Sequence, residues 1–164
     1  MVLRSRRRRA AIFVATVTAL SLVAAGCSDD DGGETGATGG ATGGGTTVDV
    51  TLQEFAVVPA SGSAPAGDVT FDVTNEGPDD VHEFVVFKTD LAPDALPTNE
   101  DGSVDEEGEG VELQDEIEDI AVGDTQSVTI DLAAGNYVLI CNIYDEAEQE
   151  AHYQEGMRVA FTVE

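Results

Sequence analysis

Cys141, His152 and Met157 lie close together near the C-terminus of this 164-residue chain, and His82 lies well upstream in Asp-Val-His-Glu-Phe-Val-Val-Phe. One thiolate, two imidazoles and one thioether are the donor set that protein copper electron-transfer sites use. The cysteine must ligate as a thiolate, which a bound cation enforces. Two neutral imidazoles and that thiolate make a trigonal plane, with Met157 as a long axial donor. Such a plane compromises between the preferences of Cu(I) and Cu(II), so little rearranges when an electron moves.

The inventory sharpens the reading. The chain has two Cys, two Met and two His. Met1 is the initiator, and Cys27 belongs to a separate motif near the N-terminus. Every other Cys, Met and His falls in the set. A lone buried cysteine is usually an inert small hydrophobe, and a lone histidine or methionine more often packs than coordinates. The joint occurrence, in order and with no spare Cys or His, points to a metal.

Short alternating segments must position these residues. Val48, Val50 and Leu52 alternate with polar residues, as do Val69, Phe71 and Val73, then Val128 and Ile130. Val81 to Lys88 is a longer apolar run. Tyr137, Leu139 and Cys141 share one face of a strand, with Val138 and Ile140 on the other. Val159, Phe161 and Val163 form the last strand. Period-two segments divided by turn signals at Gly67-Asp68 and Asn75-Glu-Gly-Pro78 predict an all-β Greek-key sandwich. Val111 to Ile120 alternates less cleanly and is expected to pack one edge under the sandwich. No long amphipathic helix is evident.

His82 then stands early on one strand and Cys141 ends a neighbour at the same pole. A loop folding back returns His152 and Met157, and Gly156 permits a tight backbone approach beside Met157. Thr89 to Gly110 is a long acidic insertion. Its acids do not complete a calcium-loop series, so a solvated loop without metal is expected there.

Residues 48–164 resemble the cupredoxin (blue copper) family. The resemblance is carried by Val69-Thr-Phe-Asp-Val-Thr-Asn-Glu-Gly, His82-Glu-Phe-Val-Val, Gly135-Asn-Tyr-Val-Leu-Ile-Cys-Asn and His152-Tyr-Gln-Glu-Gly-Met157. It implies a plastocyanin- or azurin-like domain holding one copper ion, Cu(I)/Cu(II), on His82, Cys141, His152 and Met157. It also implies a redox partner protein. Leu132-Ala-Ala-Gly135-Asn-Tyr137 resembles a tyrosine corner, in which the hydroxyl bonds back to the upstream backbone. The chain departs from the family in the length of its Cys-to-His loop. Ten residues, Asn142 to Ala151, intervene and include Asp145, Glu146, Glu148 and Glu150. Glu148 or Glu150 could therefore replace His152 as a ligand.

The N-terminus describes delivery. Residues 1–26 read as a signal peptide: five arginines by Arg9, then an uncharged apolar stretch from Ala10 to Ala25. Val23-Ala-Ala-Gly-Cys27 resembles the bacterial lipobox, which implies lipid attachment at Cys27. Ser5-Arg6-Arg7 lacks the apolar residue of a twin-arginine signal, and the export route stays open. Residues 27–47 form a Gly/Thr/Asp-rich tether without large apolar residues, too polar to offset its ordering entropy. Its mean reach is roughly 25 Å.

The chain carries 33 acidic and 7 basic residues. Without the leader only Lys88 and Arg158 remain basic. Nucleic-acid binding is excluded. The acids suit a solvated surface at high ionic strength or a docking face for a basic redox partner, and their spread over most loops favours the former. Triad catalysis is disfavoured because both histidines are used, and with one lysine after the leader no phosphate cradle is present. The expectation is a monomeric, non-enzymatic type 1 copper electron carrier, lipid-anchored to the outer face of the cell membrane. A copper chaperone or scavenger, and a metal-free interaction module of the same fold, are the alternatives.

Overall fold

The structure is a computed structural model that describes residues 45–164. The signal peptide, the lipidation motif at Cys27 and most of the tether lie outside the described residues. Two β-sheets pack face to face. The first has the order β2-β1-β4-β7, built from β1 (Thr46–Gln53), β2 (Ala56–Pro59), β4 (Gly67–Gly77) and β7 (Thr125–Leu132). The second has the order β3-β11-β8-β5-β6, built from β3 (Ser63–Ala64), β11 (Arg158–Val163), β8 (Gly135–Ile140), β5 (His82–Lys88) and β6 (Glu112–Ile120). The remaining elements are a hairpin of β9 (Tyr144–Asp145) and β10 (Glu150–Ala151), and the single turn α1 (His152–Glu155).

The alternation in the sequence decides which residues face inward. Val48, Val50 and Leu52 of β1, Val69, Phe71 and Val73 of β4, and Tyr137 and Leu139 of β8 meet in one interior cluster. Phe71 packs tilted against Phe84 and edge-on against Phe161, with centroids 5.3 and 5.5 Å apart. Each such side chain contributes about 1.5–3 kcal/mol by leaving water. β1 pairs in parallel with β4, and β4 antiparallel with β7. The tyrosine corner is present: the Tyr137 hydroxyl donates to the Ala133 carbonyl at 2.7 Å.

The structure corrects three expectations. Gly67-Asp68 and Asn75–Gly77 are not turns but the two ends of β4, and β1 begins at Thr46 rather than at residue 48. Their neighbours pair along the whole of that length, so the ladder outweighs the local turn preference. The acidic insertion is also more than a solvated loop. Leu96 and Val104 are buried on the outer face of the second sheet against Val85, Phe87, Val138, Ile140 and Tyr153. That face is apolar and needs cover, which the insertion provides. β6 lies at the edge of the second sheet.

Candidate metal centre

β5 and β8 run antiparallel with Val85 opposite Ile140, so His82 and Cys141 emerge at the same pole. The β9–β10 hairpin and α1 carry His152 back to that pole, where the His152 N–H donates to the Ile143 carbonyl at 2.9 Å. The Cys141 N–H donates to the Met157 carbonyl at 3.1 Å, and the Met157 N–H donates to the His152 carbonyl at 3.0 Å. These backbone bonds gather the last three predicted ligands. At Gly156, φ is 127°, and a Cβ there would stand 3.3 Å from the Phe55 carbonyl oxygen, so glycine suits both the conformation and the space.

Three donor atoms converge. The Nδ1 atoms of His82 and His152 lie 3.2 Å apart, and the Cys141 Sγ lies 3.8 Å from the first and 3.4 Å from the second. The point equidistant from all three is about 2 Å from each, close to metal–imidazole and metal–thiolate bond lengths. His82, Cys141, His152 and Met157 are all buried. Met157 joins through its backbone bonds and shares the interior cluster with Cys141. Glu148 is exposed and Glu150 only partly buried, and neither belongs to this three-residue group, whereas His152 does.

The electrostatics favour a cation. Burial pushes the Cys141 thiol up to about 12, although main-chain N–H groups of Glu83 and Ile143 oppose the rise. The Glu83 N–H reaches the sulfur at 3.3 Å. Burial also holds the His82 imidazole below its ordinary value; His152 adds to this, while Glu54 and Asp80 oppose it. A neutral imidazole and a thiol that ionises only beside a positive charge are a donor set ready for a soft metal, and the site could hold a copper ion.

No protein-family model matches the chain, and no curated protein matches it. Among solved structures it superimposes on the dithionite-reduced auracyanin of the photosynthetic bacterium Roseiflexus castenholzii. The TM-score is 0.51 at 21% identity, over 73% of this chain and 97% of that one. The fold is the cupredoxin fold. Auracyanin A of Chloroflexus aurantiacus, described as a blue copper protein, aligns at 19% identity over 74% of this chain and 100% of that one, with a TM-score of 0.45. An azurin from Methylomonas sp. strain J aligns at 16% identity over 75% and 99%, also at 0.45.

Around the cupredoxin-fold site the structure adds residues that sequence reasoning did not single out. The β1–β2 turn supplies two. The Phe55 ring stands edge-on to His152, with centroids 5.4 Å apart, and Glu54 lies beside His82. Asn75 is buried; its amide donates to the carbonyls of Asp80 and Ile120, and its oxygen accepts the Gly77 N–H. It thereby shapes the loop leading into His82. Glu83, Glu106 and Glu116 bring carboxylate oxygens within 4.8 Å of one another on the flank of the second sheet. A surface depression lined by Asp79, Asp80, Asp119 and Asp145 reaches His152.

Proposed function

We propose that the protein is a type 1 copper electron carrier, in which His82, Cys141, His152 and Met157 would hold the ion. The observation that carries this reading is the triangle of two Nδ1 atoms and one Sγ, buried and sized for a metal ion. Bound copper supplies one-electron chemistry between Cu(I) and Cu(II). The protein's part is to hold the donors rigidly and dry. The Glu83 N–H supports the thiolate, the Met157 and His152 backbone bonds fix the returning loop, and Phe55 backs the His152 ring. The auracyanin likeness supports the fold on which this site is built.

Electrons would pass to a partner protein where the Asp-lined depression meets His152, and its four aspartates favour a basic partner. Anchoring follows from the sequence: lipid on Cys27 would hold the domain outside the cytoplasmic membrane, with the tether as spacer. Replacing Cys27 with Ser should release the protein from membranes or leave the precursor uncleaved, and a wholly soluble wild-type protein beginning elsewhere would rule the anchor out.

Metal analysis, visible spectroscopy and voltammetry of the copper-loaded protein test the central reading. An intense thiolate charge-transfer band with reversible voltammetry is expected. A colourless protein that keeps Cu(I) against oxidation would identify a chaperone or scavenger, and no metal uptake would leave an interaction module.

A further inference from the structure

We infer that Glu54 is a positioning residue for the metal centre: its carboxylate accepts the His82 Nε2–H and so fixes which ring nitrogen faces the donor triangle. The inference rests on the copper reading above and extends it to the group behind the histidine. Among the described residues, two buried side-chain polar atoms lack a hydrogen-bond partner, His82 Nε2 and Glu54 Oε2. They belong to facing side chains, with His82 Nε2 3.6 Å from Glu54 Oε1. The His82 side chain is fully buried and that of Glu54 is 11% exposed, so water has little room to satisfy either. A buried polar atom left unpaired is costly, and turning the carboxylate so that Oε2 meets Nε2 removes both deficits at once.

The oxygen nearest the ring is already committed. Glu54 Oε1 accepts the main-chain N–H groups of Asp79 at 3.1 Å and Asp80 at 2.7 Å. These residues begin the short run into His82. Glu54 thus ties the β1–β2 turn to the loop before the histidine and holds its carboxylate beside the ring, with Oε1 nearest Nε2 and Oε2 unpartnered. In a neutral imidazole one nitrogen donates and the other accepts. With Nε2–H given to Glu54, the Nδ1 lone pair is left facing Cys141 Sγ and His152 Nδ1, where the triangle needs it. A carboxylate behind a ligating histidine orients the ring and makes it a stronger donor. Its negative charge favours the more highly charged ion, so it holds the reduction potential down.

Two variants of the full-length chain separate this role from that of a turn tie. Glu54→Gln keeps an acceptor oxygen and loses the charge. Glu54→Leu loses both. The readouts are the ring ¹⁵N shifts of His82 in the copper-free protein and the reduction potential of the copper-loaded protein. Wild type should show the Nε2–H tautomer. Glu54→Gln should keep that tautomer and lose about tenfold in Cu(II)-over-Cu(I) preference, an upward shift of about 59 mV. Glu54→Leu should mix the tautomers and weaken copper binding about 10- to 100-fold. An Nδ1–H tautomer in wild type, or an unshifted potential in Glu54→Gln, overturns the inference. If Glu54→Leu does not fold, the other two measurements still decide. A wild-type protein that takes up no copper defeats the copper reading instead, and the copper-free tautomer then decides the Glu54–His82 contact alone.

Discussion

Asn142 and Val104 exchange two hydrogen bonds across 38 residues of chain. The Val104 N–H donates to the Asn142 side-chain oxygen at 2.6 Å, and the Asn142 amide donates back to the Val104 carbonyl at 3.2 Å. The same amide reaches Glu106 Oε1 at 3.0 Å. Asn142 directly follows Cys141. Tyr153, which directly follows His152, donates its hydroxyl to the Pro93 carbonyl at 2.8 Å and accepts the Leu96 N–H at 3.1 Å. The acidic insertion therefore grips the chain immediately beyond two of the three converging side chains. It replaces, by tertiary bonds, the constraint that a short Cys-to-His loop would supply.

Asn142→Ala should consequently loosen the insertion and the site together. Losing these bonds and leaving the Val104 N–H unpaired should cost about 1–3 kcal/mol. Hydrogen exchange should quicken at Val104 and through residues 96–106, and copper should be released faster. Exchange confined to the Asn142 neighbourhood, with unchanged copper release, would mean that the site is rigid without the insertion.

Met157→Leu should keep copper but raise the reduction potential, because losing a weak donor disfavours Cu(II) more than Cu(I). A tenfold change in that preference is about 59 mV. Voltammetry and metal content decide. An unchanged potential would make Met157 a packing residue of the interior cluster, in which it is fully buried.

Copper uptake should release the Cys141 proton. Burial holds this thiol up at about 12, so it is protonated at neutral pH until a cation displaces the proton. Apparent Cu(I) affinity should then rise about tenfold per pH unit between roughly 7 and 9. Competition titrations across that range test it, and a flat profile would mean that the sulfur is not the ligand. Cys141→Ala should abolish any intense visible band.

Glu83 should make the folded state less stable as pH rises. Burial first, then repulsion from Glu116 and Glu106, pushes its carboxyl up to about 7, while Glu116 is itself raised by burial and by repulsion from Glu106 and Glu118, against a hydrogen bond with Glu83 that lowers it. A raised carboxyl means that the folded state holds the proton more tightly than the unfolded one. Its contribution is complete below about pH 4.5 and is lost as pH climbs through about 7. Melting temperatures from pH 4 to 8 should show a fall that Glu83→Gln flattens. Parallel wild-type and mutant curves would mean that solvent screens the cluster fully.

Much of the architecture was legible in the residues. Alternation at Val48-Val50-Leu52 and Val69-Phe71-Val73 is dictated by the two-residue period of a strand, whose inward positions must be apolar wherever a sheet is covered. The two faces of Tyr137–Cys141 were separable for the same reason, and each packs in its own cluster. The donor inventory was legible because the chain has so few Cys, His and Met residues to assign. Glu54 was not, since one acid among 33 carries no local mark. Its role comes from the β1–β2 turn meeting the loop before His82, a contact between distant parts of the chain. Nor could Leu96 and Val104 be told from other loop residues until the bare outer face of the second sheet was seen to need cover. Local pattern thus determined which residues turn inward and which could bind a metal. Only tertiary structure decided which ring nitrogen faces the sulfur and what holds the long loop in place, because those depend on distances between segments that no periodicity encodes.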